Sequence, residues 1–132
     1  MSLTNDERKA IVDYRLEKAD LAFNESKKVA AISLWNISAN RLYYALYYAV
    51  SALWIHDGYS SHTHSGLIAQ FSLYYVKTGV FSTDDARLLR SMFNLRHEGD
   101  YEDFVDVAEE DIAQATPLVQ ALIGKIKNKI QL

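Results

Sequence analysis

The chain has 132 residues, of which 49% are hydrophobic, and its formal net charge is −3. This length predicts one domain over residues 1–132, and the net charge excludes a general positive field that would attract nucleic acid. Cysteine is absent, which excludes disulfides, thiolate metal sites and a cysteine nucleophile.

Two helices are predicted in the first half of the chain. A capping box of Thr4 with Glu7 begins the first helix, which is expected to span about residues 5–25. The second helix is expected to begin near residues 26–28 and to end near residue 56, because neither glycine nor proline interrupts this stretch. Its second half is apolar or aromatic on nearly every side, which predicts a central helix surrounded by others.

Three further helices are predicted in the second half. Their expected limits are about residues 64–78, 82–99 and 106–128. Ser82 caps the fourth helix, Asp106 and Glu109 form a capping box for the fifth, and Pro117 is expected to kink the fifth. No segment shows the sustained alternation of a strand, so the sequence predicts an all-α bundle of about five helices.

Two features of the sequence, the N-terminus and the longest apolar run, indicate where in the cell the protein is expected. The first residues lack the basic start and apolar run of a signal peptide, which predicts a cytoplasmic protein. The longest apolar run, residues 42–55, is shorter than the roughly 20 residues that a membrane span needs. A membrane association is therefore not expected.

Polar residues of the fourth predicted helix converge on one surface. Arg90 and His97 are seven residues apart, which places them within about 20° of each other and opposite the apolar stripe. Arg87 and Asn94 lie beside them. Histidine can take a proton from a ribose 2′-hydroxyl near neutral pH, and arginine can hold the scissile phosphate, so this face could cleave RNA without a metal. Spacing alone favours the simpler alternative that this face is only solvated.

Other polar residues lie in apolar surroundings and need partners. Arg96 falls inside the apolar arc of the fourth helix, so a buried or half-buried carboxylate is expected beside it, and Asp100 is the nearest candidate. Asn40 and Arg41 stand in a largely apolar part of the second helix. They belong either to a buried polar network or to an active-site pocket, and the sequence leaves both alternatives open.

Aromatic and histidine residues offer two weaker hypotheses. The second helix carries tyrosines that could stack bases, although core packing is favoured, at positions 43, 44, 47 and 48. His62 and His64 could ligate zinc, but an acidic or thiol companion at matching spacing is missing. His64 is therefore expected to begin the third helix, and neither a metal nor another cofactor is expected.

Several segments together carry a family resemblance. They are Asn40-Arg41-Leu42-Tyr43-Tyr44-Ala45, Tyr47-Tyr48-Ala49, Thr63-His64-Ser65-Gly66, Val76-Lys77-Thr78-Gly79 and Leu95-Arg96-His97-Glu98-Gly99-Asp100-Tyr101. Over roughly residues 10–128 the chain resembles the HEPN domain family. It is most similar to the small stand-alone prokaryotic HEPN proteins that are often found beside minimal nucleotidyltransferases in toxin–antitoxin pairs.

The resemblance implies an up-and-down helical bundle that forms a homodimer, with active members being metal-independent ribonucleases. Their motif is an arginine, four to six residues and a histidine, which Arg90 and His97 satisfy as the catalytic pair. Two such motifs meet across the dimer interface to form one composite site. Supporting or binding residues would be Asn40, Arg41, Asn94, Arg96, Asp100 and Tyr101.

The resemblance also implies an alternative function. Active toxins of the family commonly carry Asn or Asp directly after the motif arginine, where this chain has Ser91. Some members lack activity and serve as binding or regulatory subunits for a nucleotidyltransferase partner or a nucleotide. In other pairs the nucleotidyltransferase modifies a tyrosine behind the motif histidine, a role that Tyr101 could take.

Overall fold

The computed structural model describes residues 3–59, 62–101 and 106–131. Within these segments the chain forms α-helices and no strand, which confirms the predicted all-α fold. The helices are α1 (Asn5–Ala30), α2 (Trp35–His56), α3 (His64–Phe71), α4 (Thr83–Tyr101) and α5 (Glu109–Gln131). No helix in the described segments is both long enough and apolar enough to cross a membrane.

The central helix is α2, as its apolar composition predicts. It packs against α1 along most of its length and also against α4 and α5. Leu42, Leu46, Val50 and Leu53 are completely buried, and small residues between them allow the neighbouring helices to approach closely. Because it is buried on several sides, this helix contributes more residues to the hydrophobic core than any other helix.

The first helix begins as predicted. The backbone N–H of Glu7 donates to Thr4 Oγ1 over 3.1 Å, and the backbone N–H of Thr4 donates to Glu7 Oε1 over 2.9 Å. This is the predicted capping box, in which two N–H groups at the helix start find side-chain acceptors.

The predicted boundary between the first two helices is wrong. We expected the break near residues 25–28, but α1 continues to Ala30 and α2 begins at Trp35. Ser26 and Ser38 explain the continuation, because each buried hydroxyl donates to the backbone carbonyl oxygen of the other residue, over 3.0 and 3.1 Å. The chain instead reverses at Ser33, which adopts a positive φ of 62°.

The third predicted helix is also divided differently. The α-helix ends at Phe71, and Ser72–Val76 form a π-helical segment instead of the predicted continuation to Thr78. Thr63 caps α3 by accepting a 2.9 Å hydrogen bond from the N–H of Gly66, so His64 is the first helical residue, as predicted.

The fourth helix has its predicted cap and a longer end. Asp85 N–H donates to Ser82 Oγ over 3.1 Å, which confirms Ser82 as the cap. The helix does not stop at Gly99 but continues to Tyr101. Gly99 instead allows Val107 to pack closely against the α4 backbone, because a Cβ atom at this position would lie 3.0 Å from Cγ2 of Val107.

The fifth helix begins later than predicted. Asp106 and Glu109 do not form its capping box, because Ala108 N–H donates to Asp111 Oδ2 over 3.0 Å and the helix starts at Glu109. Asp106 lies before the helix, where its Oδ1 atom is 3.5 Å from Nδ2 of Asn36. The helix contains Pro117 in its interior and ends at Gln131, three residues beyond the predicted end.

Candidate functional site

The exposed side of α4 carries the predicted catalytic pair. Leu89 and Met92 are buried against the core, whereas Arg90, Asn94 and His97 are exposed. The structure thus confirms the predicted orientation of α4, with its apolar stripe toward the core and its polar side toward solvent. A rise of 1.5 Å per residue separates Arg90 and His97 by about 10 Å along the helix axis.

The surroundings of Arg90 and His97 differ. In the described residues no carboxylate lies within ion-pair distance of Arg90, whereas the neighbouring Arg87 pairs with Asp84 over 3.0 Å. The His97 ring lies against the Tyr101 ring, with 5.2 Å between the ring centroids. This face thus combines the exposed side chain of Arg90 with an exposed imidazole that has an aromatic neighbour.

Arg96 has the carboxylate partner that the sequence predicts. Its Nε atom lies 3.3 Å from Asp100 Oδ2, an ion pair whose alignment is poor for a hydrogen bond. The two side chains are only 15% and 26% exposed, so this pair is better shielded from water than a surface pair. It fixes the side chain that directly precedes His97 in the sequence.

The second helix completes this polar network. Asn40 Nδ2 donates to Asp100 Oδ2 over 2.9 Å, and Asn40 Oδ1 accepts from Nη2 of Arg41 over 2.8 Å. Arg41 reaches α1 as well, where its Nη1 atom lies 3.4 Å from Glu25 Oε1. Asn40 and Arg41 therefore join a half-buried polar network that adjoins the exposed face of α4, and their place in an active-site pocket stays a prediction.

The guanidinium of Arg96 contacts two tyrosines. Its Nη2 atom donates to Tyr44 Oη over 3.1 Å and lies 3.4 Å from Tyr101 Oη. The guanidinium carbon is also 5.2 Å from the Tyr101 ring centroid, a cation–π distance. Tyr101 is nevertheless 62% exposed, so its ring and hydroxyl remain accessible beside His97.

A tyrosine and histidine cluster, formed by Tyr43, Tyr47 and His64, lies next to this network. Tyr43 Oη and His64 Nδ1 are 2.7 Å apart, and the His64 ring stacks on Tyr47 with 4.2 Å between centroids. Burial lowers the pKa of His64, and the positive charge of Arg96 lowers it further. Burial raises the pKa of Tyr43, so its phenol stays protonated beside the imidazole.

Sequence reasoning missed several of these contacts. Core packing was favoured for the four tyrosines of α2, and Tyr43 is only 1% exposed, but Tyr44, Tyr47 and Tyr48 are half-buried. Tyr44 as a partner of Arg96 could not be predicted, because 52 residues separate the two. The sequence did contain one usable signal, since Thr63-His64-Ser65-Gly66 places His64 at the start of α3.

The histidines around the α2–α3 connection are engaged with protein groups. His62 Nε2 lies 3.2 Å from Ser51 Oγ, and His64 Nδ1 contacts Tyr43. Across the described segments no group of three His, Asp or Glu side chains is arranged to hold a metal ion. These contacts favour a structural role for His62 over the zinc hypothesis.

Comparison with known proteins identifies the family. The model of the HEPN domain family matches residues 12–129. The chain belongs to the HEPN domain family. An UPF0332 protein of Thermotoga maritima is 30% identical over 126 residues, covering 96% of both chains.

Two further relatives of this HEPN chain come from Methanocaldococcus jannaschii. One is named "Putative toxin MJ0142" and is 23% identical over 73% of this chain and 65% of its own length. The other is named "Putative toxin MJ0605" and is 26% identical over 76% of this chain and 75% of its own length. The predicted membership of the family is thereby confirmed.

Proposed function

We propose that this HEPN protein is a metal-independent RNA endonuclease that acts as a homodimer, with Arg90 and His97 as its catalytic residues. The observation that carries the proposal is the exposed face of α4, on which Arg90, which has no carboxylate partner among the described residues, and the imidazole of His97 lie on one side. The half-buried Asn40, Arg96 and Asp100 network supports this face from behind.

In the proposed reaction, His97 accepts the proton of a ribose 2′-hydroxyl as general base. The 2′-oxygen then forms a bond to the adjacent phosphorus, and the bond from phosphorus to the 5′-oxygen of the next nucleotide breaks. Arg90 donates to the non-bridging phosphate oxygens and stabilises the charge that develops on them. The products are a 2′,3′-cyclic phosphate end and a 5′-hydroxyl end.

The same reaction needs a proton for the leaving 5′-oxygen. Within one chain His97 is a single imidazole, so we propose that His97 of a second copy donates this proton across a symmetric interface. The separation of about 10 Å between Arg90 and His97 along α4 favours a site to which both copies contribute. Asn94 lies between the two residues on the exposed face and would bind RNA.

The polar network has a supporting role in this proposal. Asn40 donates to Asp100, Asp100 pairs with Arg96, and Arg96 contacts Tyr101 beside His97. Arg41 links the network to α1 through Glu25. Because Asn40, Arg41 and Arg96 are half-buried and fixed by several contacts, they would orient the imidazole without transferring protons themselves.

We further propose that the protein is the toxin of a toxin–antitoxin pair, with a nucleotidyltransferase as its partner. The names of the two Methanocaldococcus jannaschii relatives support the toxin assignment. In such a pair, modification of the exposed Tyr101 hydroxyl would place a bulky group beside His97 and block access of RNA.

Cleavage of total RNA by the purified protein in excess chelator tests the enzymatic proposal. Wild type should produce 2′,3′-cyclic phosphate ends, and both Arg90→Ala and His97→Ala should lower the rate by about 100-fold or more. Arg87→Ala is the matched control, because Arg87 is also exposed on α4 but is engaged with Asp84. Equal rates in wild type and His97→Ala would disprove the assignment of the base.

A non-catalytic role is the second candidate, in which the chain binds a nucleotidyltransferase partner or a nucleotide. It is favoured by the exposed Ser91 beside Arg90, where the motif of active members commonly has Asn or Asp. Expression of the chain without its genomic neighbour separates the two functions. Growth arrest that depends on His97 supports the nuclease, whereas normal growth and stable capture of the partner support the binding subunit.

A further inference from the structure

The basic side chains of the protein differ in the partners that they contact. In the described segments six Lys or Arg side chains lie within 4.0 Å of a carboxylate, so their charges are largely neutralised. In the same segments four cations of α1 contact only neutral groups, and three of them lie on one side of the helix. Arg8 donates to the carbonyl oxygen of Ile55, and Arg15 bonds to the hydroxyl of Ser51.

Lys18 is the third of these cations. Its Nζ atom lies 5.5 Å from the Tyr14 ring centroid and 5.8 Å from the Tyr48 ring centroid. Arg8, Arg15 and Lys18 fall within about 80° of one another around the helix axis. A chain with a net charge of −3 therefore carries an unneutralised positive strip along one side of α1.

Aromatic rings border this strip. Tyr14 is 58% exposed, and Tyr48 and Tyr44 are half-buried on α2 with 6.0 Å between their ring centroids. Exposed ring faces beside cations are the combination with which proteins bind single-stranded nucleic acid, because bases stack on the rings while cations contact phosphates. Core packing alone does not require a lysine between two such rings.

The strip leads to the α4 site. Ser51, which binds Arg15, and Tyr44, which accepts a hydrogen bond from Arg96, are seven residues apart on α2. This spacing corresponds to about 10 Å along the helix. At the Tyr44 end the carboxylates Glu25 and Asp100 are each paired with an arginine, which reduces their negative charge there.

From these contacts we infer that Arg15, Lys18, Tyr44 and Tyr48, called here the α1–α2 face, bind single-stranded RNA next to the Arg90 and His97 site. The inference rests on the proposed function, since it names the surface that delivers the substrate. Arg15 and Lys18 contact phosphates, and the rings of Tyr44 and Tyr48 stack on bases. The strand then continues past Arg96 to His97.

Binding is measured with a probe that cannot be cleaved. A fluorescein-labelled 2′-O-methyl oligonucleotide of about 12 nucleotides lacks the free 2′-hydroxyl, so anisotropy reports binding by the intact protein whether or not it is a nuclease. The titration compares wild type, Lys18→Gln, the double variant Arg15→Gln with Lys18→Gln, Tyr48→Leu and Tyr48→Phe. Lys28→Gln with Lys77→Gln removes the same charge from exposed lysines elsewhere and is the matched control.

The inference predicts a specific pattern. The double variant should bind about tenfold more weakly than wild type, and the slope of log affinity against log salt should fall by about 0.7 for each lost phosphate contact. Lys18→Gln alone should show part of this loss without removing the Arg15 to Ser51 contact. Tyr48→Leu should weaken binding, whereas Tyr48→Phe should not, because stacking needs the ring and not its hydroxyl.

Several results would overturn the inference. Equal affinities in the double variant and the lysine control, or no binding by wild type, would show that the α1–α2 face does not hold the strand. Loss of self-association in the double variant with unchanged probe binding would assign the face to a second copy of the chain. Intact probe binding with no RNA cleavage would refute the nuclease proposal while leaving the binding face established.

Discussion

Asn40 on α2 donates a 2.9 Å hydrogen bond to Asp100 on α4, across a sequence separation of 60 residues. The same Oδ2 atom of Asp100 forms the ion pair with Arg96. One carboxylate therefore joins the last turn of α4 to the central helix. Because His97 and Tyr101 lie on that turn, the contact that stabilises the fold also sets the geometry of the candidate site.

Replacing Asp100 by alanine is expected to lower the free energy of unfolding by about 1–3 kcal/mol, since it leaves a half-buried guanidinium and an amide donor without their acceptor. Urea denaturation of wild type and Asp100→Ala measures this loss. Asp13→Ala is the matched control, because Asp13 also pairs with a cation four residues away, Lys9, but both side chains are exposed. A loss no greater than that of Asp13→Ala would contradict the importance of the network.

The sequence predicted contacts within a helix better than contacts between helices. Arg96 and Asp100 could be paired in advance because residues four apart share a helix face. The bonds from Asn40 to Asp100 and from Arg96 to Tyr44 depend on how α2 packs against α4, and no local spacing records that packing. The identity of the network residues was therefore predicted more completely than their connections.

Helix boundaries show the same limit. The capping box at Thr4 and the cap at Ser82 follow from local chemistry, and the structure confirms both predictions. The predicted end of α1 is wrong, because the turn after this helix contains neither glycine nor proline. The residue with a left-handed backbone conformation in this turn is Ser33. The paired hydroxyls of Ser26 and Ser38 hold the two helices together before that turn, which is again a contact between elements.

Ser33 gives a second prediction. A residue with φ of 62° is strained unless it is glycine, and a β-branched side chain increases that strain. Ser33→Val should lower the free energy of unfolding by about 1 kcal/mol, whereas Ser33→Gly should leave it unchanged or raise it slightly. Thermal denaturation of both variants measures the difference. Since Ser33 is exposed, lost core packing cannot explain a difference, and equal melting temperatures would refute the left-handed turn.

The histidines beside α2 give a third prediction, on pH. Burial lowers the pKa of both His62 and His64. The positive charge of Arg15 lowers the pKa of His62 further, and that of Arg96 lowers the pKa of His64 further. The unfolded chain therefore binds protons more readily than the folded chain as the pH falls below about 6.5. The stability that these groups contribute is present above that pH and is lost as the pH falls through their folded pKa values.

Melting temperatures between about pH 7.5 and pH 5.5 measure this effect, since most carboxylates remain ionised over that range. The wild-type melting temperature should fall on acidification, and the fall should be smaller in His64→Asn, in which one buried titrating group is missing. His56→Gln is the control, because His56 is exposed beside Asp57. An equal fall in wild type and His64→Asn would show that His64 does not contribute.

Tyr101 gives a fourth prediction, which concerns activity. Its ring lies 5.2 Å from the His97 ring, whereas its hydroxyl contacts Arg96 at 3.4 Å. If the ring orients the imidazole, Tyr101→Phe should retain most of the rate of RNA cleavage and Tyr101→Leu should lower it by about tenfold or more. The proton resonances of the His97 ring provide an independent measure, since a neighbouring aromatic ring shifts them. They should move in Tyr101→Leu and stay nearly constant in Tyr101→Phe, and the opposite order would mean that the hydroxyl, through Arg96, is the group that positions His97.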